Sequence, residues 1–211
     1  MKCFDQRTRA DHPYLVAADQ CWWLAEYICG HARRAGSVSQ IIVSLKQPAS
    51  QAAFQTRRAR GRRYAVQTLA ALLRASVARD WAEEATWIPI PSARLSCDSD
   101  HGRLLPVLRL AFRNYDVDIR PILSVRDSTE PDHVLARRSS PGELYGRLRV
   151  NWPLIAARPL RERLVLFDDV VTTGKHYRCC ERVLHRALPR TCVTGLFLSR
   201  RVLSGRACRP P

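Results

Sequence analysis

Two neighbouring carboxylates and a run of small residues follow a short, continuous apolar stretch of the chain. Residues 164–167 read LVLF, Asp168 and Asp169 come directly after them, and residues 170–176 read VVTTGKH. Carboxylates accept hydrogen bonds from sugar hydroxyls and bind divalent cations. Threonines and a glycine let the backbone turn tightly, so that successive amide groups point into one concavity that holds a phosphate. The pattern therefore predicts a site for a sugar phosphate.

The elements around these residues predict a parallel sheet. The apolar run 164–167 is typical of a strand that is buried on both faces. We expect a helix over His176–Leu188 and a second strand over Thr191–Leu198, and these elements together form a βαβ unit. Ligands of such sheets bind at the carboxyl ends of the strands, where the positive end of the helix favours a dianion. The predicted fold is α/β, with a mostly parallel central sheet flanked by helices.

Further elements are expected on the N-terminal side of this unit. A short buried strand is predicted over Thr86–Ile90, and helices are predicted over Tyr64–Val77 and Arg103–Arg113. Apolar residues near the N-terminus recur at helical spacing, which predicts a helix over Asp19–Arg34. The residues that carry this pattern are Trp22, Trp23, Tyr27 and Ile28.

The segment Leu164–His176, LVLFDDVVTTGKH, resembles the phosphoribosyl pyrophosphate motif of the type I phosphoribosyltransferases. It departs from that motif at His176, where the family usually has Ser, Thr, Ala or Arg. The resemblance implies that Asp168 and Asp169 orient the ribose and hold Mg²⁺, directly or through water. It implies that the residues after them bind the 5′-phosphate, namely Val170, Val171, Thr172, Thr173, Gly174, Lys175 and His176. A strand end followed by a capped helix would use the same Asp and Thr residues for turn chemistry alone.

A looser resemblance extends upstream, towards the competence-associated ComF-like branch of this family. It depends on the order of four segments, namely IIVSLK, IPIPSAR, RDSTEPDH and the DDVVTTG loop. The resemblance implies that Ser92 and Arg94 bind the diphosphate part of the substrate and that Lys46 is a further binding residue. It also implies that Ser124–Pro141, which includes Arg126, is a flexible loop that closes over the substrate. The RGFNQ-like segment of that branch is missing, and CDSDHGR stands in its place.

The resemblance implies a phosphoribosyltransferase with Mg²⁺ as its cofactor. Such an enzyme binds phosphoribosyl pyrophosphate and transfers the phosphoribosyl group to a nitrogen nucleophile, a nucleobase or a similar compound, with release of pyrophosphate. The catalytic residues implied are Asp168, Asp169, Arg94 and Arg126. Because the transition state has oxocarbenium character, we expect the protein to contribute mainly position and electrostatic stabilisation.

A length of 211 residues suits one domain with a small addition. We expect an N-terminal helical or hood segment over residues 1–45, a phosphoribosyltransferase-like core over residues 46–203 and a flexible tail over residues 204–211. The hood is expected to combine the N-terminal segment with loop segments. Because the N-terminal aromatic residues could fill a core or an interface, both a homo-oligomer and a complex with another protein are compatible with the sequence.

The excess of positive charge supports a second interpretation. The formal net charge is +16, and no acidic residue occurs between Tyr27 and Arg79. The densest cluster, RRARGRR, precedes the helix predicted from Tyr64 and belongs in part to a loop expected over Gln47–Gly61. A catalytically weak or inactive binding or regulatory module of the same fold would contact nucleic acid through Arg57, Arg58, Arg60, Arg62 and Arg63. A solvated loop or a coding bias towards arginine would explain the same cluster without a partner.

Composition excludes several other classes of protein. Hydrophobic residues make up 46% of the chain and charged residues 26%, which leaves enough apolar material for a folded core. The sequence has neither the long apolar run of a membrane span nor the apolar stretch of a signal peptide near its first residues, so we expect a cytoplasmic protein with no membrane partner. Eight cysteines without a CxxC pair indicate reduced structural thiols.

Overall fold

The fold is described from a computed structural model that covers residues 1–28, 37–47, 57–92, 102–126 and 140–203. Helices and strands alternate along most of the chain. In chain order they are β1 Lys2–Cys3, α1 Gln6–Arg9, β2 Cys21–Ile28, α2 Val38–Leu45, α3 Arg57–Ser76, α4 Arg79–Glu83, β3 Ala85–Pro89, α5 Leu104–Ala111, β4 Asp118–Ile119, β5 Leu123–Val125, α6 Pro141–Arg147, β6 Leu148–Val150, α7 Trp152–Ala156, β7 Arg163–Val171, α8 Lys175–Ala187 and β8 Cys192–Val202.

Six strands form the central sheet, in the order β1-β2-β8-β7-β3-β4. All neighbours in this sheet are parallel except the short edge strand β1, which pairs antiparallel with β2. A separate antiparallel pair is formed by β5 and β6. The predicted α/β architecture with a mostly parallel sheet is therefore confirmed, and β7 lies between β8 and β3 within it.

Helices cover both faces of the sheet. On one face α2, α3 and α5 bury their apolar residues, and on the other α6, α8 and the first part of the chain bury theirs. The strand β7 serves both cores, because Val165 and Phe167 belong to the first cluster while Leu164 and Leu166 belong to the second. This alternation explains why the strand reads as an unbroken apolar run.

The predicted elements around the candidate site are confirmed with small shifts of their bounds. The strand expected over 164–167 extends through Val171, so Asp168 and Asp169 lie inside β7 and not in the loop after it. The helix expected from His176 begins one residue earlier, and the strand expected from Thr191 is β8. The strand β3 and the helix α5 also match their predicted positions, whereas α3 begins seven residues before the helix expected from Tyr64.

The prediction of a helix over residues 19–34 is wrong. Residues 21–28 form the strand β2, which pairs with β8 along its length, and residues 29–36 lie outside the described part of the chain. Aromatic residues at this spacing fit either a helix or a strand, and pairing with β8 decides between them. The N-terminal segment thus supplies two strands to the same sheet as the rest of the protein.

The arginine cluster lies in a helix, whereas part of it was expected in a loop. The helix α3 begins at Arg57 and runs for 20 residues, so the residues RRARGRR occupy its first turns. Arginine is a good helix former, and the buried face of α3 begins at Ala65, after these turns. Residues 48–56 of the expected loop lie outside the described ranges. Within those ranges, α3 and the other helices are all too short or too polar to cross a membrane.

Candidate active site

Asp168 and Asp169 lie near the carboxyl end of β7, in the middle of the sheet. Both are buried, with relative exposures of 7% and 2%. The backbone N–H of Asp169 donates to Oδ1 of Asp168 over 2.8 Å. Beside them, the chain leaves β3 alongside β7, where the N–H of Ile90 donates to the carbonyl of Phe167. Residues 90–92 therefore follow the edge of the sheet next to the two carboxylates.

Two cations from separate helices contact this pair. Nζ of Lys46, directly after α2, lies 3.4 Å from Oδ1 of Asp169. The guanidinium of Arg103, directly before α5, places Nε 2.8 Å from Oδ2 of Asp169 and Nη2 3.7 Å from Oδ1 of Asp168. Arg103 also donates from Nη1 to Oγ of Ser92 over 3.3 Å. The structure thus joins the predicted residues Lys46, Ser92, Asp168 and Asp169 in one cluster.

Burial and mutual charge perturb the groups of this cluster. Burial, and then the charge of Asp169, raises the pKa of Asp168 from 3.8 to about 7, against the opposing effect of Arg103. Burial lowers the pKa of the Arg103 guanidinium, but the charges of Asp169 and Asp168 outweigh it, so the net direction is upward. Burial, and then the charge of Arg103, lowers the pKa of His176 from 6.5 to about 4. At neutral pH the His176 ring is therefore uncharged.

The carboxylate pair is chemically suited to Mg²⁺. Hard oxygen donors bind this ion, which usually keeps several waters and takes only one or two carboxylates from the protein. Oδ2 of Asp169 is buried, and Nε of Arg103 lies 2.8 Å from it. No cluster of three or more His, Cys, Asp or Glu side chains suited to a metal occurs in the described residues. Asp168 and Asp169 would accordingly hold the ion together with water or substrate oxygens.

A tight loop connects β7 to α8 at residues 172–174. Gly174 has φ of +80°, a left-handed conformation that side chains other than glycine rarely adopt. A Cβ at this position would also lie 2.8 Å from Cγ of Leu15, closer than real contacts allow. The backbone N–H of Lys175, the first residue of α8, donates to Oγ1 of Thr173 over 3.3 Å. Glycine is therefore required here both by the backbone and by its neighbour.

The peptide groups of the loop are oriented by the N-terminal segment. The carbonyl of Thr172 accepts from Nδ1 of His12 over 2.5 Å, and the carbonyl of Thr173 accepts from the N–H of Tyr14 over 3.0 Å. In a trans peptide the carbonyl and the following N–H point in opposite directions. The N–H groups of Thr173 and Gly174 therefore face away from the N-terminal segment. Adjacent N–H groups that share one side of a turn are the donors that a phosphate requires.

The other predicted site residues are distributed as follows. Val170 and Val171 bury their side chains in the two cores, which leaves only their backbone for a ligand. His176 is half-buried and its Nε2 has no hydrogen-bond partner among the described residues. Arg126 is exposed, and its backbone pairs with Arg147 and not with the carboxylate cluster. Arg94 and most of the predicted flexible loop, residues 127–139, lie outside the described part of the chain.

Sequence reasoning missed Arg103 and the N-terminal contacts. Arg103 is the last residue of CDSDHGR, the segment that replaces the RGFNQ-like one, and the sequence suggested for it only the first position of a helix. Its place directly after a glycine and before an apolar helix was the available signal. The contact of His12 with Thr172 joins residues 160 positions apart, for which local spacing gives no signal.

A cleft of about 550 Å³ opens beside the loop, between α8 and the start of α6. One wall carries three basic side chains at helical spacing along α8, and no acidic residue lines the cleft. These side chains are Lys175, Arg178 and Arg182. Arg178 is paired with Asp19 and Glu181, so the net positive charge of this wall is smaller than its three basic side chains suggest.

Comparisons of the chain with protein-family models, with curated proteins and with solved structures find no match. What the site does is therefore inferred from its own geometry and chemistry.

Proposed function

We propose that the protein is a phosphoribosyltransferase of the type I fold family. In this proposal it binds phosphoribosyl pyrophosphate with Mg²⁺ and transfers the phosphoribosyl group to a nitrogen nucleophile, with release of pyrophosphate. The observation that supports it most is the arrangement at the end of β7. Two buried carboxylates are followed within a few residues by a loop whose Thr173 and Gly174 N–H groups face one side. A sugar with a terminal phosphate fits this arrangement, because its hydroxyls can donate to the carboxylates and its phosphate can accept from the N–H groups.

The loop residues bind the 5′-phosphate in this proposal. The N–H groups of Thr173 and Gly174 donate to its oxygens, and Thr172 before them is exposed. The 13-residue helix α8 begins at Lys175 and adds the positive end of its dipole. Such binding holds the sugar at a fixed place and leaves its reacting carbon beyond the loop, towards the carboxylates.

Asp168 and Asp169 orient the ribose by accepting hydrogen bonds from its hydroxyls. They would also hold Mg²⁺, which when bound supplies positive charge for the leaving pyrophosphate. Lys46, Arg103 and Ser92 contact the carboxylate cluster or each other and provide further positive charge and donors there. During transfer, the bond from the anomeric carbon to pyrophosphate breaks and a bond from the nitrogen nucleophile forms. The nucleophile's proton is released, and negative charge that develops on pyrophosphate is stabilised by these groups.

The double variant Asp168→Asn/Asp169→Asn tests this proposal. We expect the wild-type protein to bind phosphoribosyl pyrophosphate in Mg²⁺ and the double variant to lose this binding, as measured by titration calorimetry. A hydrogen bond to a charged group contributes about 1.5–3 kcal/mol, so loss of two carboxylates is expected to weaken the affinity by more than about a hundredfold. The control is Asp116→Asn, which changes a carboxylate that is 90% exposed and distant in the fold from the cluster. Equal affinity of the wild type and the double variant would show that Asp168 and Asp169 do not bind the ribose.

A second candidate function is nucleic-acid binding through α3. Arg58, Arg60 and Arg63 are exposed on its first turns, next to Tyr64, which is 57% exposed. Arg62 is different, because its Nη2 donates to the carbonyl of Gly102 over 2.7 Å and supports the segment before Arg103. If duplex DNA binds here, the logarithm of its affinity falls by about 0.9 per neutralised phosphate as the logarithm of salt rises. An affinity that does not change with salt would discard this candidate.

A further inference from the structure

The N-terminal strap, defined here as residues 11–19, lies directly against the β7–α8 loop. Three successive contacts join them. Nδ1 of His12 lies 2.5 Å from the carbonyl of Thr172, and the N–H of Tyr14 donates to the carbonyl of Thr173. The side chain of Leu15 fills the space where Gly174 lacks a Cβ. Every residue of the loop is therefore held from the same side.

The strap is itself fixed at both of its ends. At one end Asp11 lies 3.5 Å from the guanidinium of Arg200 in β8, which is buried and also pairs with Glu26 of β2 over 2.6 Å. At the other end Arg178 of α8 donates from Nη2 to Asp19 over 2.5 Å and from Nε to the carbonyl of Tyr14 over 3.3 Å. Because these anchors belong to the sheet and to α8, the strap has a defined position relative to the loop.

His12 supplies the strap with a buried side-chain donor to the loop. Its side chain is fully buried and packs edge-on against Phe4, with ring centroids 5.2 Å apart. The carbonyl of Thr172 can only accept, so Nδ1 carries the proton and donates. Burial lowers the pKa of His12, so the ring is neutral at physiological pH and Nε2 carries no proton. An apolar residue would fill this space without burying a polar nitrogen, and the feature that only histidine supplies here is the donor to Thr172.

We propose that His12 is a positioning residue for the phosphate loop, which holds the Thr172 carbonyl so that the Thr173 amide faces a phosphate monoester. The identity of the ligand as a phosphoribosyl compound rests on the proposed function, whereas the class of ligand, a phosphate monoester, follows from the loop itself. His12 acts through the peptide group between Thr172 and Thr173 and does not touch the ligand. Tyr14 orients the next peptide group in the same way through its backbone.

The test compares two replacements of His12 that both carry a side-chain amide but differ in side-chain length. In His12→Asn the side-chain amide nitrogen occupies the place of Nδ1, so the donor to the Thr172 carbonyl is kept. In His12→Gln the longer side chain puts the amide nitrogen at the place of Nε2, so this donor is lost. Ribose 5-phosphate is the probe, titrated by calorimetry into each protein in Mg²⁺. We expect His12→Gln to bind it about tenfold more weakly than the wild type, since one hydrogen bond that orients the amide is removed. His12→Asn is expected to stay within about threefold of the wild type on the same ground.

A stability control separates positioning from general loosening of the fold. Phe112→Leu alters a buried residue in the core on the opposite face of the sheet, where no contact with the strap exists among the described residues. We expect it to lower the unfolding midpoint without changing the affinity for ribose 5-phosphate. If either histidine variant fails to fold, Tyr14→Pro removes the neighbouring N–H donor to Thr173 and is expected to weaken binding to a similar extent.

The outcomes distinguish this inference from the proposed function. Equal affinities of His12→Asn and His12→Gln, or an equal loss in Phe112→Leu, would overturn the positioning role. So would a wild-type protein that fails to bind ribose 5-phosphate at millimolar concentration. Binding of ribose 5-phosphate that depends on His12, without any binding of phosphoribosyl pyrophosphate, would support His12 and reject the transferase. Binding of phosphoribosyl pyrophosphate that is unaffected by the His12 variants would reject the positioning role of His12 and support the transferase.

Discussion

At the scale of single residues, the site is defined by two acids that are costly to bury together. Asp168 and Asp169 are adjacent in a buried strand, and their partners Lys46 and Arg103 come from two helices on one face of the sheet. Burial, and then the charge of the neighbouring Asp169, raises the pKa of Asp168. Perturbed pKa values of this kind cluster at functional sites.

The raised pKa of Asp168 has a consequence for stability. Because its folded-state pKa of about 7 exceeds the ordinary value of 3.8, the folded state binds the proton more tightly than the unfolded state does. The free energy of unfolding therefore falls as the pH rises from about 4 to about 7. We expect Asp168→Asn to remove this decrease and to be more stable than the wild type by about 1–3 kcal/mol at pH 8, while it loses ligand binding.

This expectation is checked by urea unfolding of both proteins at pH 5 and pH 8. Asp116→Asn serves as the exposed control and is expected to follow the wild type within about 0.5 kcal/mol. An Asp168→Asn protein that is less stable than the wild type at pH 8 would show that the ionised Asp168 carboxylate does not destabilise the fold.

At the scale of elements, the unit that matters is β7, the loop and α8. This unit was predictable from sequence, because a continuous apolar run, a turn with glycine and a helix are local signals. The prediction that Lys46 and Ser92 belong to the site came from the resemblance. Their contacts with the carboxylate cluster depend on how the helices pack on the sheet. The strand β2 was not predictable, since the spacing of Trp22, Trp23 and Tyr27 fits two structures and only the pairing with β8 selects one.

A side chain at Gly174 is expected to disturb the loop. Gly174→Ala combines a left-handed backbone with a Cβ that would lie 2.8 Å from Leu15. We expect it to cost about 1–3 kcal/mol of unfolding free energy and to weaken the affinity for ribose 5-phosphate, because the loop must shift to relieve the contact. Thermal unfolding and calorimetry report the two effects.

The matched control is Gly146→Ala in α6, where an added Cβ meets nothing within 4 Å. Since alanine favours a helix over glycine by about 0.5–1 kcal/mol, this variant is expected to be as stable as the wild type or slightly more so. A Gly174→Ala protein that behaves like Gly146→Ala would contradict the close approach of Leu15 to the loop.

At the scale of the whole molecule, positive charge is divided between structural and surface roles. Arg120 is buried, pairs with Asp118 and donates to three backbone carbonyls at the end of α7 and after it. Arg200 is buried against Asp11 and Glu26. These arginines stabilise the fold and present no charge to a partner. The net charge of +16 therefore overstates the surface that is free for nucleic acid, and composition alone could not show which arginines are internal.

The arrangement of the N-terminal segment is the largest difference between expectation and structure. Its strand β2 extends the sheet beyond β8, and its residues 11–19 reach the loop at the carboxyl end of β7. The contact between His12 and Thr172 depends on the order of strands in the sheet, which places β1 and β2 beside β8. Strand order is set by long-range packing, and no local pattern of residues 1–20 encodes it.

A crystal structure of the complex with phosphoribosyl pyrophosphate and Mg²⁺ would show whether the end of β7 binds a sugar phosphate in one orientation. We expect the 5′-phosphate oxygens to lie about 2.7–3.2 Å from the amide nitrogens of Thr173 and Gly174. The ribose hydroxyls are expected next to Asp168 and Asp169, with the diphosphate towards Ser92 and Arg103. A ligand bound elsewhere, or bound with its 5′-phosphate away from the loop, would contradict the account.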